Sequence, residues 1–147
     1  MRKLFFTAAV IATMVFAGCK KENTSENEAL TGTYIGTLEV AGSEPFTDSD
    51  IEWVLEEQSD NTYTLYMNKT RFSSRMPVYL DMEVRDMKNQ GTASVFRYET
   101  ASIIPYYNGL KQEDRVMTDL KCEADEQHME VTFTCMGMNA TYRGIAK

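Results

Sequence analysis

Histidine occurs once in this sequence, at His128, so no histidine pair is present to build a metal site or to relay protons between two imidazoles. No glycine-rich phosphate loop and no dinucleotide-binding fingerprint is present, which removes the common nucleotide-dependent chemistries. Ser73-Ser74 has neither a glycine-rich elbow nor a histidine partner, as a serine nucleophile would require. Positive charge is scarce as well: 15 Lys and Arg stand against 22 Asp and Glu, a net charge of −7. Such a balance excludes nucleic acid as a partner, because phosphate binding needs a basic face. Beyond residue 18 no apolar run approaches the ~20 residues of a spanning helix, and no stretch keeps a helical period.

Residues 1–18 differ from the rest. Arg2 and Lys3 open the chain, and an apolar run follows from Leu4 to Phe16. This pattern reads as a removable signal segment rather than as structure. Ala17-Gly18-Cys19 at its end resembles the lipobox of bacterial lipoproteins. The resemblance implies cleavage after Gly18, diacylation of the Cys19 thiol and acylation of the new amino terminus. Several acyl chains, at ~0.8 kcal/mol per buried CH₂, exceed what stable anchoring requires. Residues 19–30 are polar, charged and free of aromatic side chains, so they read as a flexible tether. In some Gram-negative groups, charges placed like Lys20-Lys21-Glu22 act as a surface-sorting signal. The expected domain is therefore 31–147, lipid-anchored in the cell envelope, with the outer membrane as the expected location and its face left open.

From residue 31 onward the pattern has period two. The expected strands are Thr33–Val40, Ile51–Glu56, Tyr63–Asn68, Val78–Arg85, Thr92–Glu99, Val116–Cys122, Met129–Cys135 and Met138–Ile145, with a turn-rich stretch around Pro105 and Asn108-Gly109. Turn lengths fix two registers. A Met136-Gly137 turn pairs Cys135 with Met138 and Val131 with Tyr142, keeping every pair on the apolar face. A three-residue loop, 59–61, sets Trp53 opposite Met67 and Leu55 opposite Leu65, where a two-residue turn would mix the faces. Eight antiparallel strands with one apolar face and short connections predict an all-β, up-and-down barrel, with a sandwich as the alternative.

The stretches Gly32-Thr33-Tyr34-Ile35-Gly36-Thr37-Leu38, Asn61-Thr62-Tyr63-Thr64-Leu65 and Met76-Pro77-Val78-Tyr79-Leu80, with Gly144 near the end, resemble the calycin-like β-barrel domain of Bacteroidota lipoproteins. Gly32-Thr33-Tyr34 is also similar to the lipocalin Gly-x-Trp signature, with Tyr34 in place of Trp. The resemblance implies an eight-stranded calycin- or lipocalin-like barrel and brings no assigned activity with it.

Trp53, Tyr63, Met67, Leu80 and Met82 are the candidate walls of an apolar pocket in the barrel. The loop residues Arg71 and Arg75, with Lys69 and Phe72, lie near one mouth and could select an anionic end. Met and aromatic side chains suit an adaptable pocket and equally an ordinary core. Cys122 and Cys135 invite a disulfide in an oxidising compartment. A turn through Ala124–Gln127, however, pairs Cys122 with Met129 and Cys135 with Val116, too far apart to bridge. They are read as small buried hydrophobes. His128 points outward by parity, away from both thiols, so no metal site is expected. Asp48-Ser49-Asp50 with Glu52 lacks the glycine and closing Glu of a calcium loop. Asp81 and Glu83 share an outer face where nothing excludes water. No enzyme activity and no cofactor are expected. The expected function is binding of a small, largely apolar ligand by an envelope lipoprotein. The alternative is a protein-interaction module with a filled core, for which the Tyr106-Tyr107 pair is a candidate contact.

Overall fold

The computed structural model describes residues 31–59 and 61–147. The expected signal segment, Cys19 and the 19–30 tether lie outside them. Alternating side chains form ten antiparallel strands: β1 (Gly32–Ala41), β2 (Phe46–Ser59), β3 (Thr62–Thr70), β4 (Leu80–Lys88), β5 (Phe96–Ile103), β6 (Tyr106–Tyr107), β7 (Leu110–Lys111), β8 (Met117–Ala124), β9 (His128–Cys135) and β10 (Met138–Ala146). They make a single sheet in the order β5-β8-β9-β10-β1-β2-β3-β4-β6-β7. The sheet curls into a half-barrel around one core. The count is ten rather than the expected eight because the Asn108-Gly109 turn, both residues at positive φ, closes a two-residue hairpin, β6–β7.

Strand direction defines two rims. The lower rim holds Thr31, the turn at Asn61, the β4–β5 loop, the turn after Ala124 and the end of β10. The upper rim holds the β1–β2 turn, the loop from Arg71 to Tyr79, the β6–β7 hairpin and the Met136-Gly137 turn.

Both registers argued from turn length are found. Cys135 pairs with Met138 and Val131 with Tyr142; Trp53 pairs with Met67 and Leu55 with Leu65. The second is reached by an irregularity between Glu57 and Ser59, with Ser59 opposite Thr62.

Curvature comes from bulges. Four register shifts, one each in β2, β3, β4 and β8, coincide with a non-glycine residue in the left-handed region: Asp50 (φ 58°), Lys69 (φ 56°), Asp86 (φ 62°) and Asp119 (φ 51°). One extra residue bends its strand and increases the local twist. These bulges also explain the differences from the expected pattern. Asp119 reverses the parity of β8, so Met117, not Val116 and Thr118, faces the core with Leu120 and Cys122. The turn after Ala124 sets Ala124 opposite Met129, Cys122 opposite Val131 and Cys135 opposite Met117. The fourth strand begins at Leu80, and Val78, expected to face inward, is exposed. The fifth strand is Phe96–Ile103 rather than Thr92–Glu99, because Thr92 to Val95 form a turn closed by the Thr92 amide on the Val95 carbonyl.

The core is continuous from Tyr34 to Tyr142. At its centre Trp53 and Tyr142 stack, ring centroids 4.1 Å apart and planes within 9°. The Tyr142 hydroxyl proton lies between two backbone carbonyls, Ile51 at 2.8 Å and Tyr34 at 3.0 Å. Gly36 and Gly144 pair directly in the β1–β10 ladder. A Cβ on Gly144 would stand 2.7 Å from the Tyr142 hydroxyl, and one on Gly36 would collide with the Arg143 carbonyl. Replacing Gly36 with alanine must push β1 off β10. Gly36→Ala is expected to cost about 1–3 kcal/mol, read as a lower urea midpoint with an unchanged slope.

Candidate functional site

The five residues proposed as pocket walls all point inward, and all are buried. Trp53 donates its indole N–H to the Asn68 carbonyl at 3.0 Å. Tyr63 lies against Phe96, centroids 4.7 Å apart. Met67 and Met82 are direct cross-strand partners. The interior between them is occupied by other side chains of the chain, among them Leu38, Leu65, Val84, Leu120 and Val131. The Tyr63 hydroxyl is the one buried side-chain oxygen among the described residues without a hydrogen-bond partner. Burial, with Glu57 adding a smaller effect, raises its pKa, so it stands as a neutral phenol.

The upper rim is plugged. Phe72, from the loop between β3 and β4, is buried and meets Phe133 edge-on at 6.2 Å. Its amide donates to the Met76 sulfur at 3.1 Å, which folds the loop back on itself. Arg71 secures the loop from outside. Its Nε and Nη2 donate to the two Asp48 carboxylate oxygens at 2.8 and 2.9 Å. The guanidinium also lies over Tyr79 (4.9 Å) and Phe46 (5.6 Å). The hydrogen bonds to Asp48 are the main cause holding the Arg71 pKa above its ordinary value. Arg75 pairs with Glu44 at 2.8 Å on the exposed rim. Both arginines therefore stand at the mouth as expected, but each is satisfied by an acid of the β1–β2 hairpin. Sequence reasoning missed Phe72 as a plug and Asp48 as its outer anchor. The signal was available: an aromatic residue set among basic ones, and an aspartate offered to them across a hairpin.

Several clefts open on the outer wall. One of about 730 Å³ is lined by Ile35, Gly36, Asp50, Arg143 and Ile145, and one of about 440 Å³ by Arg97, Asp125, His128 and Arg143. A third, of about 370 Å³, lies between β4 and β5 and is lined by Arg85, Asp86, Ser102, Tyr106 and Lys111. None of the five expected wall residues lines any of these. Among the described residues, no group of three or more His, Cys, Asp or Glu is placed to hold a metal ion.

This architecture has a solved counterpart. The crystal structure of a "putative outer membrane protein" from Bacteroides fragilis superposes with a TM-score of 0.58 at 23% identity, covering 82% of this chain and 52% of that one. The chain thus spans about half the length of that protein, and the likeness is one of fold. No protein-family model matches the sequence, and no curated protein matches it.

Cys122 and Cys135 are buried and free. Burial pushes the Cys122 thiol up to about 12 and the Cys135 thiol up to about 11, so neither carries thiolate near neutral pH. Iodoacetamide at pH 7.5 is expected to leave both unmodified in the folded protein and to alkylate both in 6 M guanidinium, read by peptide mass spectrometry. The plug gives a second expectation. Phe72→Ala should cost about 3–5 kcal/mol in denaturant unfolding, whereas Arg75→Ala, at the exposed rim, should leave the midpoint unchanged.

Proposed function

We propose that this protein is a cell-envelope lipoprotein whose calycin-like barrel works as a protein-interaction module without catalysis of its own. The observation that carries the reading is the packed interior. Side chains of the chain fill the space a lipocalin-type ligand would take, and Phe72 closes the mouth above it. This favours the interaction module over the small apolar ligand expected from sequence, because an interior ligand would have to displace core residues.

The wall supports anchoring by lipid rather than spanning by strands. A transmembrane barrel turns apolar side chains outward. Here the outer face carries cross-strand ion pairs: Arg97–Glu123, Arg143–Glu130 and Lys147–Glu52, at 2.6, 2.8 and 2.9 Å. The lipobox-like Ala17-Gly18-Cys19 supports covalent attachment, and the fold shared with the Bacteroides fragilis protein supports an envelope setting. The chain enters the sheet at the lower rim, so a lipid at Cys19 would tether the domain from that end and leave the upper rim free for contacts. Among the described residues, four of the five large exposed apolar ones lie there: Val78 (56% exposed), Tyr79 (48%), Leu110 (68%) and Met136 (46%). Apolar side chains grouped at one end of an otherwise charged surface mark a contact region.

Two outcomes test the reading. Cys19→Ser should move the protein from the membrane fraction to the soluble fraction and abolish incorporation of labelled palmitate. Val78→Glu combined with Leu110→Glu should leave the melting temperature unchanged and abolish in-cell crosslinks to envelope proteins. Crosslinks that survive the double variant, or native mass spectrometry that finds a small molecule released only on unfolding, would return the interior to first place.

A further inference from the structure

The long strands nearest the two ends of the sheet, β4 and β5, face each other along a seam that no continuous ladder closes; beyond β4 the sheet continues only as the short β6 and β7. The chain fills this seam with strand-like groups in two places. Toward the lower rim, Asn89 and Gln90 serve the edge of β5. The Asn89 Oδ1 accepts from the Arg97 amide at 3.0 Å, the Gln90 amide donates to the Arg97 carbonyl at 2.7 Å, and the Gln90 Oε1 accepts from the Glu99 amide at 3.0 Å. Toward the upper rim, β6 continues the edge of β4, with Tyr106 opposite Glu83 and Tyr107 opposite Met82. Upstream of Tyr106 the chain leaves that line at the buried Pro105, which has no N–H to give. The 370 Å³ cleft lies between these two fillings.

Its walls are edges. Arg97 and Glu99 turn their backbone groups to the seam, so strand alternation turns those of Ala101 to it as well. On the opposite wall, Val84, Arg85 and Asp86 are the next β4 positions after the two that β6 covers. The gap along β4 is about three residues long at ~3.3 Å each. Charge is arranged along it. At the Tyr106 end stand Arg85, whose Nε donates to Glu83 at 2.8 Å and whose guanidinium lies over the Tyr106 ring at 4.0 Å, and Lys111, the cross-strand partner of Tyr106. Lys111 makes no ion pair among the described residues, and Asp86 stands toward the other end.

We propose that this slot binds the extended C-terminal residues of a partner polypeptide. The peptide continues the line of β6 antiparallel to β4, with its terminal carboxylate at Lys111 and Arg85. A strand added to an open edge takes its affinity from backbone hydrogen bonds. A slot blocked at Tyr106 admits a chain end rather than a through-running strand, and the Lys111 ammonium, with the Arg85 N–H groups that Glu83 does not take, fits a carboxylate. The proposal rests on the interaction reading above and names the class of partner.

The test uses the purified full chain and a hexapeptide of alternating threonine and valine, as the free acid and as the C-terminal amide. In hydrogen–deuterium exchange, the free acid should slow exchange across residues 84–86 and 101–103 and leave the turn at Met136-Gly137 unaffected. The amide and the Lys111→Glu variant should each bind about tenfold more weakly. Ala101→Pro removes one edge N–H on the side away from the β8 ladder, so it should weaken binding with the melting temperature kept. Equal binding of acid and amide, equal binding to both variants, or full amide protection of Ala101 in the free protein would each overturn the proposal. Crosslinks lost in the Val78→Glu, Leu110→Glu protein while the slot amides stay unprotected by the peptide would sink the slot and keep the interaction module.

Discussion

Everything in this fold leans on the contact between Tyr142 and Trp53. The two rings stack at 4.1 Å, and the phenol reaches through to the carbonyls of Tyr34 and Ile51. One side chain of β10 is thereby fastened to β1 and to β2. The glycines at 36 and 144 are the geometric condition for it, because side chains there would occupy the space the phenol and the Arg143 carbonyl need. Buried in this way, the Tyr142 hydroxyl is held neutral, its pKa raised chiefly by loss of solvent. A polar atom placed among carbonyls in an apolar core specifies one crossing of strands and rejects neighbouring ones, which a purely hydrophobic contact would tolerate.

Around that contact the molecule is an inside-out version of a membrane barrel: apolar within, charged without, with most of the large exposed apolar residues among those described at one rim and Ile145 at the other. The clasp formed by Arg71, Asp48, Phe46 and Tyr79 belongs to the same scheme. It turns the cationic loop residues, which in isolation suggest anion capture, into a fastening that keeps Phe72 in the mouth. Lys111, at the seam, is a cation in a concave setting that makes no ion pair among the described residues.

Much of the fold was legible in the sequence because period-two alternation and turn length are local properties. The Met136-Gly137 turn and the loop at Asn61 fixed β9–β10 and β2–β3, with the pairs found as expected. The inward direction of Trp53, Tyr63, Met67, Leu80 and Met82 followed from the same parity. What escaped was bulging. Asp50, Asp86 and Asp119 adopt the left-handed conformation that glycine ordinarily announces, and an aspartate within a polar-apolar alternation looks like one more outward residue. Each bulge shifts parity by one, so the error at Met117 was the consequence of a single residue. The seam was illegible for another reason: which strand edges remain unpaired depends on where the sheet ends meet, and that is a property of closure rather than of any segment.

The order of strands in the sheet has a consequence for how the chain acquires its structure. β10 is the last strand in sequence, yet it stands between β9 and β1 in the interior of the sheet. Its partner β1 is the first, so the pairing of Gly36 with Gly144 closes a loop of more than a hundred residues. Contacts of such separation slow folding, because the loop entropy is lost before the contacts form. While β10 is absent, β1 and β9 both present open edges and Trp53 has no stacking partner. The pieces on either side, β1–β4 and β5–β9, can form hairpins locally, but the contacts that join them, such as Tyr63 on Phe96 and β6 on β4, are themselves between distant parts of the chain. A chain emerging from its amino terminus must stay incomplete until Tyr142 is available, and during that interval its exposed edges are the surfaces that a chaperone would have to cover.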